Sequence, residues 1–210
     1  WTLYLLNLAD NLTANGFYYT HINEESILNS KIKEKRLLIG GAKFEVLILP
    51  NVDAISLDLA RKLNYIAASG IPIIFINILP KKQPGYLNFE VNDKEIEGII
   101  KNLIENKKSY YVESSMNLAK YIMENFKTKP GIIFEGEQPS IYYIHKETEN
   151  SDYYFLRHSN NQPIKISVKF SHIDKIPFIL NPWTGEINQA IQYKQGNGHI
   201  KMHLHFNAYD

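Results

Sequence analysis

Residues 44–78, FEVLILPNVDAISLDLARKLNYIAASGIPIIFINI, carry the pattern that decides the fold of the first half of the chain. The run from Phe44 to Pro50 is apolar enough for a buried strand, and Ile71 to Ile78 is almost continuously apolar, as in a central parallel strand. Between them, residues 56–68 place apolar side chains on one helical face, with Ser56 as the N-cap. A strand, a helix and a strand within about 35 residues form a βαβ unit, which predicts a parallel sheet.

The segments around this unit extend it into an α/β domain. Helical spacing and capping residues predict helices over residues 2–14, 24–28, 93–106 and 114–126. Asn23 is expected to cap the second of these helices, and Ser114 or Ser115 the last. Residues 17–22 and 110–112 are predicted strands, and Gly40-Gly41 is the predicted turn of a hairpin between residues 35–39 and 43–49. We therefore expect a flavodoxin-like parallel sheet with flanking helices over residues 1–130.

After a polar connector at residues 127–130, which ends in proline, the period of the pattern changes from helical spacing to alternation. Seven short strands are predicted, at residues 132–134, 140–146, 152–158, 163–170, 175–180, 189–194 and 199–206. Turn residues separate them. This spacing is typical of an antiparallel β-sandwich-like domain, which we place at residues 131–210.

Composition excludes several classes of protein. The chain has 23 basic and 22 acidic residues, and this near balance argues against a nucleic-acid partner. No segment is long and apolar enough to suggest a membrane partner. The absence of cysteine excludes disulfides and a cysteine nucleophile. The α/β pattern is also amidotransferase-like, but an amidotransferase needs such a nucleophile. The chain starts on Trp1 without an intact signal peptide, and we expect the natural polypeptide to be longer.

Four segments, in order, resemble segments of one family. The first is Tyr19 to Ser26, the second is the hairpin and strand from Ile39 to Pro50, and the third is the pair formed by residues 143–148 and 152–156. The fourth is the turn at residues 181–187, NPWTGEI. Together they resemble the C-terminal half of bacterial glycoside hydrolases of the inverting α-L-rhamnosidase type. Arg157-His158 departs from that pattern, in which a small residue and Asn stand there.

The resemblance implies a parent enzyme whose catalytic carboxylates and calcium ligands lie in an upstream barrel, so none of them maps onto this chain. A related α/β domain occurs in β-galactosidases that trimerise. The resemblance also implies a bacterial periplasmic or secreted location and a parent that acts on plant or bacterial polysaccharide. The expected partners are the upstream catalytic barrel of the same parent chain and a carbohydrate.

Two groups of residues have a pattern that suggests chemistry. Glu135 and Glu137 point to one side of a strand, and an inverting glycosidase needs two carboxyl groups across a sugar. We favour a solvated linker instead. His199, His203 and His205 share one face of the last predicted strand, and a His-x-His pair on a strand is able to bind zinc. We favour the solvent face of a strand that is buried through Ile200, Met202, Leu204 and Phe206, and that lies near a sheet edge.

Two further groups are weaker candidates for ligand binding. Asn23, Asn51 and Asn77 follow predicted strands of the α/β domain, at the edge where ligands bind in such sheets, but turn residues are common there. Trp183 and the pairs Tyr142-Tyr143 and Tyr153-Tyr154 offer rings for stacking on sugars, but half of the strand residues face the core. Gly40-Gly41 lacks a phosphate-loop pattern.

We assign no catalytic residue, no cofactor-binding residue, no metal ligand and no cofactor. The expected function is a non-catalytic, structural portion of a glycoside hydrolase that supports the catalytic barrel. The alternative is an autonomous carbohydrate- or protein-binding module.

Overall fold

A computed structural model describes residues 2–126, 128–136, 140–171 and 174–210, with side chains from residue 7 onward. The chain forms two compact units. Thr20–Phe126 and residues 2–8 belong to the first unit, and Ala9–Tyr19 and the described residues after 127 belong to the second. The domain limits at residues 1–130 and 131–210 remain a prediction.

The first unit combines helices with two small sheets. Its elements are α1 Thr2–Ala14 (which continues into the second unit), α2 Glu24–Leu28, β1 Lys31–Lys33, β2 Arg36–Ile39, β3 Ala42–Phe44, β4 Leu47–Pro50, α3 Leu57–Ala68, β5 Ile73–Ile76, α4 Phe89–Glu105, β6 Tyr110–Val112 and α5 Leu118–Phe126. Strands β4, β5 and β6 form a parallel sheet in that order, and β1, β2 and β3 form an antiparallel one. The predicted βαβ unit is thus confirmed as β4, α3 and β5.

The core of this unit follows from the apolar runs of the sequence. Strand β5 is fully buried, and α3 turns Leu59, Leu63 and Ile66 onto the same core. The Ser56 hydroxyl accepts a hydrogen bond from the Leu59 amide at 3.0 Å and so caps α3, as predicted. Burial of β5 and of one face of α3 is the main source of stability for this unit, because apolar area leaves water.

The Gly40-Gly41 turn is confirmed between β2 and β3, with Ile39 opposite Ala42. The two glycines have φ values of 56° and 88°, which only glycine adopts without strain. The hairpin arm predicted at residues 43–49 is wrong in its extent. The strand breaks after Phe44 and resumes at Leu47 in the other sheet, where Leu47 and Leu49 join the buried core.

Three other predicted elements need correction. Residues 17–22 are not a strand, and they join none of the sheets formed by the described residues. Helix α4 begins at Phe89 rather than near residue 93. Asp93 therefore lies inside the helix, where its carboxylate accepts the Gln83 amide at 2.8 Å. Helix α5 begins at Leu118 rather than at residue 114.

The second unit is built from antiparallel strands. They are β7 Ile132–Glu135, β8 Ile141–Glu147, β9 Asp152–His158, β10 Ile164–Phe170, β11 Phe178–Leu180, β12 Ile187–Gln189, β13 Tyr193–Gly196 and β14 His199–Phe206. Strands β13, β14, β10 and β7 form a sheet in that order, and β8–β9 and β11–β12 are two-stranded. The fold class is therefore confirmed as a parallel sheet with helices followed by antiparallel sheets. The flavodoxin-like and sandwich-like descriptions remain predictions.

The alternation predicted for residues 199–206 is confirmed. Ile200 and Met202 are buried, Leu204 and Phe206 are half-buried, and His203 and His205 are exposed. The expectation that this strand lies near an edge is wrong. Strand β14 pairs with β10 along seven residues on one side and with β13 on the other, so it is an inner strand of its sheet.

Residues 9–19 contact the rest of the second unit at a closely packed glycine, Gly16. Gly16 has a φ of 73°, and its carbonyl oxygen accepts the Tyr143 hydroxyl at 2.7 Å. A Cβ atom at this position would lie 1.8 Å from the Ile132 carbonyl oxygen. Glycine is therefore required here both by backbone conformation and by space.

Candidate functional site

The Glu135 carboxylate is held between two lysines. Lys169 Nζ lies 2.7 Å from one of its oxygens and Lys201 Nζ lies 2.5 Å from the other. These hydrogen bonds hold the pKa of Glu135 at about 2, well below the ordinary range of a carboxyl group. A carboxyl group that is ionised at neutral pH is unsuited to act as the general acid of an inverting glycosidase. Glu137, the other member of the pair, lies outside the described residues.

Two of the three histidines of β14 contact neutral groups. His203 Nδ1 lies 2.8 Å from the Ser167 hydroxyl, and His199 Nδ1 lies 2.8 Å from the Asn197 carbonyl oxygen. His205 lies opposite Lys165, which repels a cation. Across the described residues, no group of three or more His, Cys, Asp or Glu side chains is placed to hold a metal ion.

Two of the three asparagines after strands come together in the first unit. Asn51 follows β4 and Asn77 follows β5, and Asn77 Nδ2 donates to Asn51 Oδ1 at 2.7 Å. Asn23 instead caps α2 by accepting the Ser26 amide at 2.9 Å. Asn51 and Asn77 have left-handed φ values of 55° and 67°. They therefore serve as turn residues whose side-chain amides hydrogen-bond to each other.

The tyrosine pairs divide between core and surface, as alternation requires. Tyr142 and Tyr153 are 45% and 51% exposed, whereas Tyr143 and Tyr154 face the core of the second unit. Burial raises the pKa of both inward tyrosines above the ordinary value. Trp183 stands in the turn between β11 and β12 and is 86% exposed. The outward rings are therefore available to a ligand, and the inward ones are structural.

Asp152 is a buried carboxylate that was not predicted from the sequence. Asp152 is only 5% exposed in its side chain, His145 Nε2 lies 2.8 Å from one of its oxygens, and Lys175 Nζ binds the other. The His145 ring also stacks on Tyr154, with centroids 4.4 Å apart. His145 and Asp152 both lie in the segments that carry the family resemblance. The short hairpin between their strands would have predicted the contact of His145 with Asp152. The contact with Lys175 was not predictable in this way, because Lys175 lies outside the hairpin.

The outward side of the four-stranded sheet carries a charged surface, the lysine face, that was also not predicted. Its described basic, acidic and histidine side chains are Lys165, Lys169, Lys194, Lys201, His199, His203, His205 and Glu135, and Ser167 and Ile133 lie among them. Lys165 and Lys169 in residues 164–170 and Lys201 in residues 199–206 were visible in the sequence on one parity of their strands. Their assembly with Lys194 and Glu135 depends on the order of the strands.

Comparison with known families identifies one that matches most of the chain. The family model described as alpha-L-rhamnosidase matches residues 3–195, which is most of the chain. The chain belongs to the alpha-L-rhamnosidase family. The resemblance inferred from residues 19–26, 39–50, 143–156 and 181–187 is thereby confirmed.

Individual relatives of this rhamnosidase-family chain are distant and much longer. A protein of Formosa agariphila named "Putative beta-glucuronidase" is 22% identical over 191 residues, which are 90% of this chain and 16% of that protein. The structure of a rhamnosidase from Novosphingobium sp. PP1Y matches with a TM-score of 0.75 at 18% identity, over 91% of this chain and 19% of the other. That structure shows a shared fold. The chain spans less than a fifth of the length of either relative.

No described helix of this rhamnosidase-family chain combines the length and the apolar character that crossing a membrane requires.

Of the two candidate carboxylates Glu135 and Glu137, only Glu135 lies within the described ranges, and its lysine partners keep it ionised.

Proposed function

We propose that this chain is a non-catalytic portion of a rhamnosidase-like glycoside hydrolase and that it supports the catalytic barrel of the same polypeptide. The observation that carries the proposal is the exposed apolar ribbon, β11–β12. Its residues Phe178, Ile179, Leu180 and Ile187 are each at least 50% exposed. Apolar groups face outward on both sides of the ribbon, because Leu180 pairs with Ile187 and Ile179 with Asn188.

A two-stranded ribbon is marginally stable without a covering surface. Exposed apolar area of this kind marks a place where another surface packs. Since the chain spans 16% and 19% of its two relatives, the rest of a longer polypeptide is the natural cover.

The outward face of β8–β9 supports the same proposal. Tyr142, Ile144, Tyr153 and Phe155 are each 45–55% exposed on this face. Ile144 lies directly opposite Phe155, so the apolar surface is continuous across both strands. Arg157 covers one end, with its guanidinium 5.6 Å from the centre of the Tyr142 ring. Such a flat apolar face with a charged end resembles the surface of a domain that packs against another domain.

The test uses the full-length gene product and the 210-residue chain side by side. The double substitution Ile179→Asp and Leu180→Asp should lower the thermal midpoint of the full-length protein by several degrees, because it places charge in a covered contact. The isolated chain should tolerate the same change, since both side chains are exposed in it. Asn150→Asp, in the turn between β8 and β9, is the control and should alter neither protein. Equal midpoints for mutant and wild-type full-length protein would refute the proposal.

Activity supplies a second test. The 210-residue chain should not hydrolyse aryl α-L-rhamnosides or aryl β-galactosides, because Glu135 is tied to Lys169 and Lys201. Turnover that Glu135→Gln or Glu137→Gln abolishes would show that the chain has a catalytic site.

One observation favours a second candidate, a carbohydrate-binding module. Trp183 is 86% exposed, and the Asn181 side chain orders its turn by accepting the Trp183 amide at 2.9 Å. A rigidly presented indole suits stacking on a sugar ring. Loss of binding to a neutral oligosaccharide panel in Trp183→Ala, with Tyr65→Ala (57% exposed, in α3) as control, would support this candidate. We further propose a periplasmic or secreted location, which cell fractionation of the native host would test.

A further inference from the structure

The lysine face is built by the register of three neighbouring strands. Lys194 of β13 lies opposite Lys201 of β14, and Lys201 lies opposite Lys169 of β10. Since neighbouring strands are about 4.8 Å apart, the backbones of these three lysines lie side by side in one short row across the sheet. Further along the same two strands, Lys165 of β10 lies opposite His205 of β14.

Acidic residues compensate this face only in part. Glu135 contacts Lys169 and Lys201 and is its one described carboxylate. Lys165 and Lys194 are exposed and have no ion pair within the part of the chain that the structure describes. The whole chain has a net charge of only +1, so positive charge is concentrated on this face rather than spread evenly.

Such a row costs stability, because like charges directly opposite one another on adjacent strands repel. The Glu135 carboxylate offsets the repulsion for two of the lysines but leaves Lys194 beside Lys201 without compensation. A bound polyanion would remove the remaining repulsion and gain the attraction of several lysines at once. Among the described residues, Ile133, opposite Lys169, is the one large apolar side chain exposed on this face. Exposed apolar side chains are thus fewer here than on β8–β9 and β11–β12, so the face is less suited to an apolar protein contact.

We propose that the lysine face binds an acidic polysaccharide, a chain of sugars that carry carboxylate or sulfate groups. The choice of polysaccharide rests on the proposed function in a glycoside hydrolase. It is also favoured over nucleic acid by the side chains present. The described residues of this face include no Phe, Tyr or Trp, whereas proteins that bind single strands add aromatic rings on which bases stack.

The experiment measures binding of the 210-residue chain to polygalacturonate, dextran sulfate, neutral dextran and oligo(dT) by affinity electrophoresis and calorimetry. We expect retardation by at least one of the two acidic polysaccharides, none by neutral dextran, and weaker binding to oligo(dT). Binding should fall at least tenfold at 0.5 M NaCl, because salt screens exposed charges.

The matched variants separate the lysine face from general charge. Lys165→Ala with Lys194→Ala should weaken binding at least tenfold, and neither lysine takes part in a described ion pair that the fold would lose. Lys101→Ala with Lys120→Ala removes the same charge from exposed positions on α4 and α5 and should leave binding unchanged. Circular dichroism would confirm that all variants are folded.

Three results would overturn the proposal: no binding to either acidic polymer, equal loss in both double variants, or tighter binding to oligo(dT) than to both acidic polysaccharides. None of them bears on the support role, which is tested through Ile179 and Leu180 in the full-length protein. Failure of that second test would leave the binding result standing, so the two proposals fail separately.

Discussion

His145 Nε2 lies 2.8 Å from Asp152 Oδ1 and ties together the two strands of the β8–β9 hairpin. The Thr148 hydroxyl and amide close the same hairpin on Ser151. His145, Thr148 and Asp152 belong to the segments by which the chain resembles its family. Their physical role is to hold a hairpin whose inner face is buried and whose outer face is exposed, with Lys175 completing the contacts of Asp152.

Asp152→Asn should lower the free energy of unfolding by about 1–3 kcal/mol, because a largely buried carboxylate loses its charge beside Lys175 and His145. Urea denaturation followed by fluorescence measures the change. Asp53→Asn is the control, since that carboxylate is 61% exposed and pairs with Lys82 at the surface. An Asp152→Asn protein as stable as the control would show that this cluster contributes nothing.

Gly16→Ala should destabilise the chain by at least about 2 kcal/mol, because it adds backbone strain to a close contact. The new Cβ atom would lie 1.8 Å from the Ile132 carbonyl oxygen at a φ of 73°. Gly85→Ala, where a Cβ atom meets nothing within 4 Å, should stay within about 0.5 kcal/mol of wild type. Similar urea midpoints for the two variants would contradict the packing described at Gly16.

Glu135 should stabilise the chain in a pH-dependent manner. Its pKa in the folded state is about 2, below the ordinary value of 4.5, so its stabilising contribution is present above pH 4.5 and is lost as the pH falls towards 2. Thermal melts should show Glu135→Gln less stable than wild type at pH 7, with a gap that closes between pH 4.5 and 2. Glu90→Gln, at an exposed position in α4, serves as control. A gap that persists at pH 2 would exclude this mechanism.

Met202→Ala should cost roughly 2–5 kcal/mol, because it leaves a cavity under an inner strand. His205→Gln, on the opposite face of β14, should cost less than about 0.5 kcal/mol. Met202 is 6% exposed and His205 is exposed. Zinc or a chelator should leave the melting temperature of both proteins unchanged. A zinc-dependent rise that His203→Gln removes would show instead that the histidines bind metal.

Local patterns determined much of this structure. The apolar run at Ile73–Ile76, the cap at Ser56 and the paired glycines at 40 and 41 each act within a few residues, so they were predicted from the sequence. The parity of residues 199–206 was predicted for the same reason, since alternation in a strand has a period of two.

Tertiary structure decided the features that depend on which strands become neighbours. Strand β14 is an inner strand because β13 and β10 pair with its two edges, and no pattern within residues 199–206 contains that information. Likewise, Glu135 meets Lys169 and Lys201, and Asp152 meets Lys175, only after segments far apart in sequence have packed together. Residues 17–22 were predicted as a strand but join none of the sheets that the described part of the chain forms, and a strand needs a neighbour to share its hydrogen bonds. The order of apolar and polar residues sets the periodicity of each segment, whereas the contacts that create the lysine face arise from the folding of the whole unit.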